Sequence, residues 1–327
     1  MERIIFVAQK FSYMLTRRHI RIKVMQSVYS FSSGKEKKLK DEVLFFKQSV
    51  AQIFDLYLLL LALFNALKRH VSDQLIAYEK HQIKIDKKYL RLERLAQNKV
   101  LQFFYDHQTL QKHLKNKKFI KWDLEFKFLN DLIDEMTKTD SFQAYLEIED
   151  PTEKDDLQWL SKCFKESIAP SSYLFDYLED NQLTWIDDLP VVNTFMVKML
   201  KQLDTKDSNS LKFPEPIENQ DDLTFGVNLL KKTIEEDEKL QKELKGKTPN
   251  WETERIAKLD RVILKIAIVE LLHFPEIPSK VTLNEYLEIV KDYSTPSSNN
   301  FVNGVLDKLV REFIQEKRMI KTGRGLL

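Results

Sequence analysis

Three arginines, Arg17, Arg18 and Arg21, open the run TRRHIRIKVMQSVYSF at 16–31. Thr16 is a favoured helix N-cap type, and Ile20, Val24, Val28 and Phe31 recur at helical spacing, so the run predicts a helix that begins with its cations. Cations at that end oppose the helix dipole, whose positive pole is the N-terminus. A phosphate seated on the free amides and held by the guanidinium groups would resolve the conflict. The competing reading is a solvated charged face. Residues 1–40 carry ten Lys/Arg, Lys23 among them, against Glu2 and Glu36. That is a local charge of +8 on a chain of net charge +2, so the remainder carries −6. A basic front end on a mildly acidic body suits a polyanion engaged locally.

Other chemistries find little support. The glycines at 34, 226, 246, 304, 323 and 325 never form a phosphate-cradling loop, and no Walker, H-E-x-x-H or G-x-S-x-G motif occurs. Six histidines at 19, 70, 81, 107, 113 and 273 lie in separate helical patterns without metal-ligand spacing. Asp187–Asp188 reads as solvated charge. The single cysteine, Cys163, excludes an internal disulfide and fits a small core residue in a reducing compartment. No enzyme, metal or cofactor is expected.

With 31% charged and 43% hydrophobic residues, the 327-residue chain can bury a core, and six glycines with nine prolines point to long helices. Helical patterns cover 41–69, about 72–115, 122–137, 153–167 and about 173–201. The segment 113–122, HLKNKKFIKW, mixes basic and aromatic residues and reads as a charged turn with a possible RNA role. The aperiodic stretch 205–222 is the clearest linker, and 223–244 resumes as an amphipathic helix. The most apolar run, 56–64, holds nine residues where a membrane span needs about 20, so it reads as a buried helix. The start, MERIIFVAQKFSY, lacks an h-region and cleavage site and is read as untargeted.

Three helical patterns crowd the end of the chain. Residues 262–272 are apolar on nearly every side except Lys265 and Glu270, which predicts a central buried helix ended by Pro275 and Pro278 with an extended connection. Thr282 and Glu285 have capping-box spacing, the hydroxyl meeting the N3 amide. Phe301, Val305, Leu309 and Phe313 repeat at four-residue spacing after a polar 299–301 loop, and Gly304 among them suggests a close approach.

The order D-R-x-I-L-K, I-P-x-K-V, N-E-x-x-x-x-x-K and F-V-N-G-V-L-D, together with the R-R-x-x-R and Q-x-x-Y (Gln26, Tyr29) of the first helix, resembles the transcription antitermination factor NusB family. The resemblance covers 14–33 and about 223–314. It implies an all-α fold of two packed three-helix bundles, here with a large helical insertion. The expected organisation is a dispensable extension at 1–13, the first helix at 14–34, an insertion of unreadable role at 35–215, the rest of the NusB-like domain at 216–316, and a basic tail at 317–327. The resemblance further implies a cytoplasmic protein, away from membranes, that binds boxA-type RNA and ribosomal protein S10 in an antitermination complex with RNA polymerase and supports ribosomal RNA transcription. By position, the RNA side would comprise Arg17, Arg18, Arg21, Lys23, Gln26, Phe301 and Asn303. The S10 side would comprise Asp260 and Glu270. A helical protein-binding scaffold without RNA binding is the alternative, with an RNA-binding accessory akin to the front domains of ribosomal RNA methyltransferases behind it.

Overall fold

The computed structural model describes residues 13–34, 38–81, 86–245 and 257–326. Two three-residue strands, β1 (Tyr13–Leu15) and β2 (Glu215–Ile217), pair with each other, and the remaining long elements are α-helices. The all-α class is therefore observed. The described residues fall into two compact units: an inserted unit within Met1–Met14 and Ala51–Pro216, and a terminal unit within Leu15–Val50 and Ile217–Leu327. Of the expected extension, 1–12 lie outside the described residues, while Tyr13 already belongs to β1.

After α1 (Arg17–Ser33) comes α2 (Leu39–Lys80), a single 42-residue helix. No break occurs near 70, contrary to the two patterns expected there. By length and composition α2 could cross a membrane, since its most apolar 18-residue stretch has a mean hydropathy of 1.9, so the nine-residue estimate was too short. That stretch is 72% buried within the protein, as a core helix is.

The expected long run at 72–115 is cut into the end of α2 and three short helices, α3 (Lys87–Ala96), α4 (Lys99–Asp106) and α5 (Gln108–Leu114). Each start is a side-chain cap. The Asp86 carboxylate accepts from the Tyr89 amide, Asn98 Oδ1 accepts from Val100 and Leu101, and His107 Nδ1 accepts from Leu110. Such caps satisfy amides that a continuous helix would have paired internally. In the 113–122 segment the aromatic rings turn inward. Trp122 stacks on Tyr177 at 4.6 Å and donates to the Leu59 carbonyl, and Phe119 meets Trp185 edge-on. Trp122 is fully buried and Phe119 half-buried.

The inserted unit continues through α6 (Phe126–Lys138), α7 (Asp140–Leu146), α8 (Glu153–Cys163), α9 (Ser172–Asn181) and α10 (Thr184–Gln202). Its buried polar centre is Asp156, which accepts from the Tyr145 hydroxyl at 2.5 Å and the Lys99 amide at 2.7 Å. Cys163 is buried, and burial pushes its thiol well above the ordinary range.

The terminal unit adds α11 (Gln220–Glu235), α12 (Asp237–Leu244), α13 (Lys258–His273), α14 (Ser279–Tyr293) and α15 (Pro296–Gln315). The 223–244 pattern is thus two helices meeting at Glu236. Helix α1 packs on α11 and α13, while α13 also packs on α14 and α15. Ile20, Val24, Leu229, Ile263, Ala267, Ile289 and Leu306 form the shared core. Gly226 lets α11 come close, because a Cβ there would lie 2.4 Å from Phe46 Cζ and 2.7 Å from Ile20 Cγ2.

Three local expectations need correction. The connection after α13 is a turn, with the Ile277 amide donating to the Phe274 carbonyl, rather than an extended strand. Thr282 is no cap, since α14 starts at Ser279 and the Thr282 hydroxyl donates to Glu270 instead. Residues 299–301 are helical, because Thr295 caps α15 and Pro296 occupies its first turn, where a missing N–H costs nothing.

Candidate nucleic-acid interface

Helix α1 carries Ile20, Val24 and Val28 inward, which fixes where its arginines point. Arg21, one position past Ile20, falls on the buried side. Its Nε and Nη2 donate to Glu270 Oε2 and Oε1, both at 2.7 Å. The same carboxylate accepts from Thr282 Oγ1 and from the Tyr286 hydroxyl, each at 2.9 Å. Arg21 also lies over the rings of Phe225 and Tyr286, 5.2 and 5.9 Å from their centroids. Burial opposes the guanidinium charge, but the Glu270 bonds hold its pKa above the ordinary value. Burial, with the Glu270 charge added, pushes the Tyr286 phenol well above its usual range. The result is a buried, two-pronged ion pair whose carboxylate also accepts two hydroxyls, joining α1, α13 and α14.

Arg17 and Arg18 lie further out, with 45% and 41% of their side chains exposed. Arg17 donates through Nε to Asp222 at 2.8 Å, which leaves the outer edge of its fork uncommitted in that bond. Arg18 holds Glu285 with Nε and Nη2, at 2.9 and 3.0 Å. Its hydrogen bond holds the Glu285 carboxyl below its ordinary pKa against the opposing effect of burial, with help from Arg21. At the helix start the Thr16 amide donates to His19 Nδ1 at 3.0 Å. Burial, then the charges of Lys23 and Arg18, lower the His19 pKa to about 4, so the ring is neutral at pH 7 and can accept.

The conflict between cations and helix dipole therefore has an internal answer: each of the three arginines has a carboxylate. Sequence reasoning missed Asp222 and mistook Glu285 for a cap residue. An acid in a first helical turn and an acid one turn into another helix signal a partner 205 or 267 residues away in no local pattern.

A cleft of about 660 Å³ opens beside this cluster, lined by Thr16, Arg17, Arg18, His19, Arg21, Glu276, Glu285 and Arg324 together with the apolar residues Ile277, Pro278 and Val281. Its charged lining is the guanidinium groups of Arg17, Arg18, Arg21 and Arg324 with the carboxylates of Glu276 and Glu285.

The remaining expected residues are dispersed. Lys23 is buried, Gln26, Phe301 and Asn303 are half-buried, and none of them lines the cleft. Both expected partner-facing acids lie inside. Asp260, in the first turn of α13, accepts from the Ser294 hydroxyl at 2.6 Å, and Glu270 has no exposed surface. The Asp260 Oδ1 and both Glu270 oxygens accept from internal donors, so neither acid is on the surface of the protein as described. Gly304 is exposed, and a Cβ there would meet nothing within 4 Å, so no close approach within the described residues explains it.

Residues 192–311 match the family model described as the NusB family. The chain carries a NusB-family domain. Its NusB match starts within α10 and ends within α15. The chain is similar to the transcription antitermination protein NusB of Salinibacter ruber, 43% identical over 103 residues, which is 32% of this chain and 64% of that protein. NusB of Chloroherpeton thalassium is 45% identical over 78 residues, 24% of this chain and 37% of that protein. NusB of Thermodesulfovibrio yellowstonii is 38% identical over 97 residues, 30% of this chain and 64% of that protein. The chain thus spans under two thirds of each of these NusB proteins. No solved structure matches.

Proposed function

We propose that the terminal unit binds single-stranded boxA-type RNA together with ribosomal protein S10, within an RNA polymerase antitermination complex that supports ribosomal RNA transcription in the cytoplasm. The relatives' name, transcription antitermination protein, supports the setting. The observation that carries the reading is the pair of half-exposed guanidinium groups, Arg17 and Arg18, in one cleft at the start of α1. Asp222 and Glu285 hold these side chains in place before any ligand arrives, which lowers the entropy lost on binding. A guanidinium has five N–H donors, so each can keep its carboxylate and still donate to a phosphate oxygen. Arg21 acts beneath them as a positioning residue.

Fluorescence anisotropy with a labelled boxA-like RNA, with and without S10, tests this. Arg17→Gln/Arg18→Gln should weaken binding and flatten the log–log salt dependence by about 0.7 per lost phosphate contact. Equal affinity and slope in wild type and variant would refute it. Arg21 is left intact in this test because its loss would act through folding.

A further inference from the structure

The basic tail after α15 does not trail away from the cleft. The Arg318 and Met319 amides bond back to the Phe313 carbonyl, and the Arg318 guanidinium pairs with Glu243 at 2.7 Å. The Lys321 ammonium donates to the Phe274 carbonyl at 3.1 Å, and the Thr322 amide donates to the Pro275 carbonyl at 3.0 Å. A short 3₁₀ turn, Gly323–Leu326, follows. Gly323 has φ +53°, a conformation that favours glycine. Gly325 is buried so tightly that a Cβ would lie 1.9 Å from the Pro275 carbonyl oxygen. Two glycines with separate physical reasons thus flank one arginine, Arg324. That arginine is exposed and lines the same cleft as Arg17 and Arg18. Among the described residues no carboxylate is within ion-pair distance of it, whereas Arg17, Arg18 and Arg21 each have one.

We infer that the G-R-G turn at 323–325 docks on the α13–α14 connection to place Arg324 as a further phosphate-binding residue of the cleft, contacting the backbone of the single-stranded RNA whose binding is proposed above. Among the described residues, Arg324 is the cleft arginine that no carboxylate pairs, beside Arg17, Arg18 and Arg21, which are each paired. Glu276 also lines this cleft, and its carboxylate repels a phosphate that approaches it. The inference rests on the RNA-binding reading and adds to it a contact from the C-terminal side of the family-matched segment, which ends at residue 311.

The test uses the full chain and the same labelled boxA-like RNA. Arg324→Gln, at an exposed position, should leave the melting temperature unchanged, weaken binding roughly tenfold at low salt, and reduce the salt slope by about 0.7. Gly325→Ala keeps the charge but cannot pack on Pro275, so it should weaken RNA binding to a similar extent by displacing the turn. If the wild type binds this RNA while both variants bind as tightly, with the same slope, the inference is overturned and the Arg17/Arg18 reading stands. If the wild type does not bind the RNA, the parent reading fails and this one falls with it.

Discussion

Removing Arg21 isolates a buried charge. In Arg21→Met the Glu270 carboxylate keeps the Thr282 and Tyr286 hydroxyls but loses two 2.7 Å bonds and the counter-charge bonded to it, at a position with no exposed surface. Breaking a buried pair from one side typically costs about 3–5 kcal/mol. Glu270→Gln strands the guanidinium instead and should cost a similar amount. The double variant Arg21→Met/Glu270→Gln carries no charge, and its amide oxygen can still accept from Tyr286 or Thr282, so its cost should fall to about 1–2 kcal/mol. The expected coupling is therefore several kcal/mol, a large part of a typical folding free energy of about 5–15 kcal/mol. Urea unfolding of the full chain by circular dichroism measures it, with the transition slope checked because two compact units need not unfold together. A single-variant cost below about 1 kcal/mol, or strictly additive costs, would refute the view that this pair joins α1, α13 and α14.

Two further outcomes follow from the same unit. His19 has its folded pKa lowered to about 4 by burial and by Lys23 and Arg18, with Glu285 opposing, so the unfolded chain binds the proton more readily. Stability should be fully present above about pH 6.5 and decline toward pH 4, by up to about 3 kcal/mol. His19→Asn should flatten that part of the pH profile, and an unchanged profile would exclude His19 as its cause. The two helical glycines should respond oppositely: Gly226→Ala pushes a methyl into Phe46 and Ile20 and should lower the melting temperature by several degrees. Gly304→Ala enters open space and should raise stability by about 0.5–1 kcal/mol. A stabilising Gly226→Ala or a destabilising Gly304→Ala would contradict the packing described.

What the sequence disclosed and what it hid divide along physical lines. Helix α13 was legible because its apolar residues leave no face for water, and α1 because its stripe recurs every four residues. The unbroken α2 was hidden by polar residues near 65–70 that resemble a helix end yet are carried by the helix. The splits at Asn98 and His107 depend on single caps inside a periodic pattern. Arg17 and Arg18 could be found as exposed cations on a helix start. Arg21 and Glu270 could not be sorted from them, because a charge inside the core looks the same in sequence as one on the surface until its partner is known. Arg324 passed as ordinary tail charge. Its signal was the pair of glycines around it, one set by backbone conformation and one by lack of space.

The 249 residues that separate Arg21 from Glu270 also set a timetable. At roughly 5–20 residues per second, a ribosome needs on the order of 10–50 s to reach Glu270 after Arg21 has been made. During that interval the main stretch of the inserted unit, Ala51–Pro216, is made, while the apolar side of α1 waits first for α11 and then for α13. Until α11 and α13 have been made, Ile20, Val24 and Val28 have neither of the helices that α1 packs against.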